Sequence, residues 1–195
     1  MEKTLREIRK IQFVMCAIFV GSLMVFISIN EADASDGSNK PSHSEIKEIL
    51  KSQEGTWLGT ELLKNDETGE WRIGNPINLI ITRVGELSDR HSYGEDFEFT
   101  RHYKAPFWEF IMKDENGDEV VGTKEAISEF SPPDPNGHWR YVTKYTSSPL
   151  EGEVKEKMEI AEFSYGTYHK RYFSRPVGTS DTYELYGEFL GRRVR

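Results

Sequence analysis

Phe97-Glu98-Phe99-Thr100-Arg101-His102-Tyr103 places aromatic side chains at odd positions and polar ones at even positions, with Arg101 the exception on the aromatic face. A two-residue period of this kind marks a strand with one packed face and one wet face. The same period returns in Trp139-Arg140-Tyr141-Val142-Thr143-Lys144-Tyr145 and in Tyr183-Glu184-Leu185-Tyr186-Gly187-Glu188-Phe189. Working outward, the chain predicts strands over 54–64, 71–84 (broken near Gly74-Asn75-Pro76), 96–103, 107–113, 119–130, 138–146, 154–165, 167–175 and 182–190. Turn formers separate them, including Asn65 to Gly69, Ala105-Pro106 and the Asn116-Gly117 pair, which favours a tight hairpin. No helical stretch between strands is long enough for a parallel crossover. The fold class is all-β, and the expected architecture is an antiparallel up-and-down barrel of about eight to ten strands.

One short helix precedes the strands. Ser42 and Glu45 have capping-box spacing, and Ile46, Ile49 and Leu50 form a single apolar stripe. Ahead of it, residues 35–42 read as a polar linker, and 43–195 as one barrel domain.

The first 34 residues read as an export signal. Lys3, Arg6, Arg9 and Lys10 precede an uncharged apolar run from Ile11 to Ile29, and Ala32-Asp33-Ala34 offers small residues for cleavage. A run of that length could instead stay in the membrane as an uncleaved anchor. Both readings put residues 35–195 outside the cytoplasm, in the periplasm or the extracellular space. Removing 1–34 takes away four basic residues and four acidic ones (Glu2, Glu7, Glu31, Asp33), so the net charge stays at −8. An acidic domain with no basic cluster is not a nucleic-acid binder. Cys16 is the only cysteine, which excludes disulfides and thiolate chemistry beyond residue 34.

Gly55-Thr56-Trp57 opens the first strand directly after the helix. In that setting the chain resembles the lipocalins and the wider calycin group, whose first strand begins Gly-x-Trp after a short helix. The resemblance implies that Gly55 and Trp57 close one end of the barrel. It also implies that an arginine after the last strand, Arg192 or Arg193, packs across the indole. The chain lacks the Thr-Asp-Tyr of classical lipocalins and their disulfides. The likeness is therefore to bacterial exported lipocalin-like domains.

Alternation turns Phe97, Phe99, Tyr103, Trp139, Tyr141 and Tyr145 inward, as walls for a ligand or as ordinary core. Arg101 shares their face and could anchor an anionic head group, or lie at a rim and reach water. The expected partner is a small apolar or amphipathic molecule. Two other uses of the barrel stay open. One is an enzyme with Glu125 or His102 as acid or base, Glu125 and Glu129 being assigned to one face with Val121 and Ile127. The other is an envelope interaction module with a packed interior. No cofactor or metal is expected, since the histidines lack ligand spacing. His169 is the least unfavourable axial ligand should haem bind.

Overall fold

The structure is a computed structural model that describes residues 40–65, 68–94, 97–113, 117–147 and 153–194. The export signal, Cys16, linker residues 35–39 and turn residues 114–116 lie outside the described residues. One helix, α1 (His43–Gln53), leads into ten strands. These are β1 (Gly55–Lys64), β2 (Trp71–Gly85), β3 (Ser88–Tyr93), β4 (Phe97–Lys104), β5 (Phe107–Lys113), β6 (Glu119–Ser131), β7 (Trp139–Thr146), β8 (Lys155–Ser164), β9 (Thr167–Pro176) and β10 (Glu184–Arg193). Each strand pairs antiparallel with the next, and β10 returns to β1, so the sheet closes as an up-and-down barrel without an edge.

Ten strands lie within the eight to ten expected, and the segment the sequence left unassigned is β3. Its inward residues are Asp89, His91 and Tyr93, which pair across with Arg101, Phe99 and Phe97 of β4. Ser-Asp-Arg-His-Ser-Tyr carries no aliphatic residue, so no hydrophobic alternation announces it. Residues 71–85 form one strand, and the interruption expected near Gly74-Asn75-Pro76 is a bulge in which Gly74 and Asn75 stand opposite the single residue Glu61 of β1. β6 contains two register shifts, opposite Phe110/Ile111 and between Ile127 and Glu129. The second shift sends Glu129 outward to Arg140 at 2.9 Å while Glu125 stays buried. Val121, before the first shift, is also outside and 52% exposed. The shared face assigned to Glu125 and Glu129 is therefore broken by a bulge, the usual device for re-aiming a strand side chain.

The helix begins where its cap residues dictate. The Ser42 side chain accepts from the Glu45 backbone N–H, and Glu45 Oε2 accepts from the Ser42 backbone N–H at 2.7 Å. Ile46, Ile49 and Leu50 are fully buried where α1 plugs one end of the barrel. Side-chain hydrogen bonds fix it there. Trp57 Nε1 donates to Gln53 O at 2.8 Å, Trp139 Nε1 to Ser52 Oγ at 2.6 Å, and Tyr103 Oη to Pro41 O at 3.0 Å. Opposite this plug lie the C-terminal ends of β1, β3, β5, β7 and β9. At the plugged end the β8–β9 turn is only Tyr165-Gly166, both with positive φ (48° and 76°), as a two-residue hairpin turn requires.

Candidate functional site

The interior divides into a sealed floor and, away from α1, a less buried lumen. Moving away from α1, inward residues pass from buried to half-buried on strand after strand. On β1 the order is Trp57, Gly59, then Glu61 and Leu63; on β4 it is Tyr103, Arg101, then Phe99 and Phe97. β7 repeats it, with Trp139, Tyr141 and Thr143 buried and Tyr145 half-buried. Solvent therefore reaches down the barrel from the end opposite the helix.

Aromatic packing builds the floor. Trp139 stacks on Tyr141 and on Phe163 with ring centroids 5.5 and 5.9 Å apart, and Trp57 meets Phe163 edge-on at 5.8 Å. Arg193 Cζ lies 4.8 Å from the Trp57 ring, and its guanidinium donates to Ser52 O. Arg192 alternates to the outside and is exposed. Gly55 adopts φ 138° as the chain turns from helix to strand, a conformation that side chains disfavour.

Arg101 belongs to this floor. Its guanidinium makes a two-point contact with Asp89 (3.1 and 2.7 Å) and donates to Tyr141 Oη at 2.7 Å and Gln53 Oε1 at 2.6 Å. It also lies 4.1 Å above the Trp108 ring. Burial alone would raise the Asp89 pKa, but the Arg101 charge, with hydrogen bonds from Arg101 and His91, outweighs it and holds the carboxylate well below its ordinary range. Arg101 is thus a structural counter-ion whose donors are already engaged. It reaches neither a rim nor a free ligand position.

Above the floor sits a second polar group. Thr143 Oγ1 donates to Glu125 Oε2 at 2.8 Å, and Tyr145 Oη donates to Glu159 Oε1 at 3.1 Å. Lys170 Nζ forms an ion pair with Glu159 Oε2, its side chain still 18% exposed. Burial, reinforced by the Glu159 charge, pushes the Glu125 pKa up to about 8, so this carboxyl is mostly protonated at neutral pH. Burial also raises Glu61. Lys170 is lowered by burial but raised further by Glu159, and it stays charged. Around these groups stand Tyr93, Phe97, Phe99, Phe110 and Tyr172. Burial pushes the Tyr93 phenol up to about 12, which keeps it a neutral donor.

The sequence-derived residues thus divide three ways. Phe97, Phe99 and Tyr145 line the lumen, with Glu125 buried at its base. Tyr103, Trp139, Tyr141 and Arg101 form the floor with Trp57. His102 and His169 face outward: His102 Nδ1 meets Ser88 Oγ, and His169 Nε2 meets Glu188 Oε2 at 2.8 Å. His169 borders an outer-wall groove of about 610 Å³ shared with His138, Asp134 and Leu190. It cannot ligate a group held inside the barrel. Sequence reasoning missed Glu61, Asp89, His91, Glu159 and Lys170. The inward aim of Glu61, Glu159 and Lys170 could have been read from strand parity, but polar residues there look like an outer face, and Asp89 and His91 lie in β3, which was not assigned as a strand. Among the described residues no cluster of three or more His, Cys, Asp or Glu side chains is arranged to hold a metal ion.

No protein-family model matches this chain, and no curated protein matches its sequence.

Proposed function

We propose that this protein binds one small amphipathic molecule in the barrel lumen, through the mouth opposite α1. The observation that supports this best is the exposure gradient. Solvent reaches the inward residues of the mouth half, and at its lower limit meets the Glu125–Thr143 and Glu159–Lys170 groups. Phe97, Phe99 and Phe110 would take the apolar body, and the polar groups beneath would take its head. Stability alone does not account for such an interior, because well-packed apolar residues in place of buried ion pairs are often at least as stabilising. Ligand sites combine these ingredients: apolar walls with a few placed polar groups. The Gly55-x-Trp57 corner with Arg193 across the ring supports a lipocalin-like ancestry for the scaffold. The pattern of residues 1–34 supports work outside the cytoplasm.

A blocking substitution tests the reading. Ser174 continues the inward row of Tyr172 toward the mouth, and Ser174→Trp would obstruct it. Native mass spectrometry of the purified wild type should show a co-purifying or titratable small molecule at one equivalent. The Trp variant should lose it while keeping its unfolding temperature. Equal occupancy in both proteins would place the ligand elsewhere.

A further inference from the structure

Two of the inward carboxyls among the described residues are matched by cations. Arg101 is matched by Asp89 and Lys170 by Glu159, at ion-pair distances. Glu125 and Glu61 have no cation within ion-pair distance among the described residues, although both face inward. A second observation points the same way. His91 is 3% exposed, lies flat on Phe99 (4.8 Å, 14°), and its Nδ1 has no hydrogen-bond partner. Its Nε2 lies 3.2 Å from Asp89 Oδ2, which assigns the proton to that side and leaves Nδ1 an unused acceptor inside the barrel. Burial, the largest influence on it, lowers its pKa and so favours the neutral ring. Unpaired carboxyls, an idle imidazole nitrogen and the ring faces of Tyr93, Phe99, Phe110 and Tyr172 all suit one partner chemistry. That partner donates N–H groups, carries positive charge and tolerates aromatic contact.

We propose, building on the lumen-binding reading, that the ligand carries a basic nitrogen, and that its ammonium group sits beside Glu125 beneath the aromatic walls. The groups that face Glu125 across the interior set its protonation. Glu159 on β8 and Lys170 on β9 are the nearest charges, with Arg101 on β4 behind them. Tyr145 on β7 and Glu61 on β1 also face it, with Lys157 on β8 and Tyr172 on β9 one step nearer the mouth, along with neutral Thr143, Trp108 and Tyr93. Arrival of a cation ionises Glu125, so binding releases one proton and strengthens as pH rises from 6 to 8.5.

Three probes that share a phenyl ring on a two-carbon chain distinguish the possibilities in the full-length protein: 2-phenylethylamine, 2-phenylethanol and 3-phenylpropanoate. Calorimetry in two buffers of different ionisation enthalpy gives affinity and protons released together. The expected result is amine binding at least tenfold tighter than either analogue, with about one proton released at pH 7. The amine preference should also weaken about tenfold in Glu125→Gln. The proton count on the wild type stands even if that variant folds poorly. Equal or tighter binding of the alcohol or the carboxylate, or an amine affinity unchanged by pH, overturns the basic-nitrogen assignment and leaves lumen binding intact. If none of the three binds at millimolar concentration, both readings fall.

Discussion

Arg101 shows how far a single residue can be read before its partners are known. Parity along β4 turns it inward among aromatics, and that much was legible in 97–103. What it does there was not, because Asp89 lies in a stretch without a hydrophobic pattern and Gln53 belongs to a distant helix. Removing Arg101 would leave the Asp89 carboxylate buried and unpaired, a defect worth roughly 3–5 kcal/mol. Urea denaturation of Arg101→Met should show a loss of that order. Asp89→Asn combined with Arg101→Met should recover a good part of it, because no lone charge then remains. If the double variant is as unstable as the sum of the two single ones, the pair is not coupled as described.

At the scale of elements, legibility followed the strength of local signals. The helix was plain from Ser42, Glu45 and the stripe Ile46, Ile49, Leu50, all of which serve the structure as read. β4 and β7 were plain for the same reason. β3 was not, because its inward side carries an acid and an imidazole. The bulge in β6 was invisible because nothing in Ala126-Ile127-Ser128-Glu129 marks where the parity changes. The plug itself makes a clean prediction. Ile49→Ala should cost about 2–5 kcal/mol by leaving a cavity in a fully buried site, and Ser42→Ala about 1 kcal/mol by removing the cap. Both are measured by chemical denaturation. An Ile49→Ala loss below that of Ser42→Ala would mean α1 rests loosely on the barrel end. Gly59 gives a companion test in β1. A Cβ there would sit 2.4 Å from the Phe189 ring, so Gly59→Ala should destabilise by about 1–3 kcal/mol through overpacking.

For the whole molecule, the buried charges set how stability runs with pH. Asp89 has its pKa depressed on folding, so its contribution is present above its ordinary value of 3.8 and is lost as the medium becomes more acidic. His91 is also depressed, so below about 6.5 the unfolded chain takes up a proton that the folded one refuses, and stability falls. Glu125 works the other way. Its folded pKa of about 8 lies above the ordinary 4.5, so the folded state holds a proton that the unfolded state has shed across that interval. Stability therefore declines as pH rises from about 4.5 to 8, by roughly 3–5 kcal/mol if the full shift is realised. Glu61 adds to the decline in the same direction. Between pH 5 and 6.5 the histidine and carboxyl contributions oppose each other, so the unfolding temperature should form a plateau there and fall on both sides. In Glu125→Gln the alkaline fall should shrink markedly while the acid fall, owed to Asp89, persists. A wild-type unfolding temperature that rises toward pH 8.5, or a variant that loses as much as the wild type there, would show that Glu125 is not the buried acid described. A bound amine would change the curve in a recognisable way. By holding Glu125 ionised it should restore stability chiefly on the alkaline side, so that stability and recognition both depend on the protonation of one carboxyl.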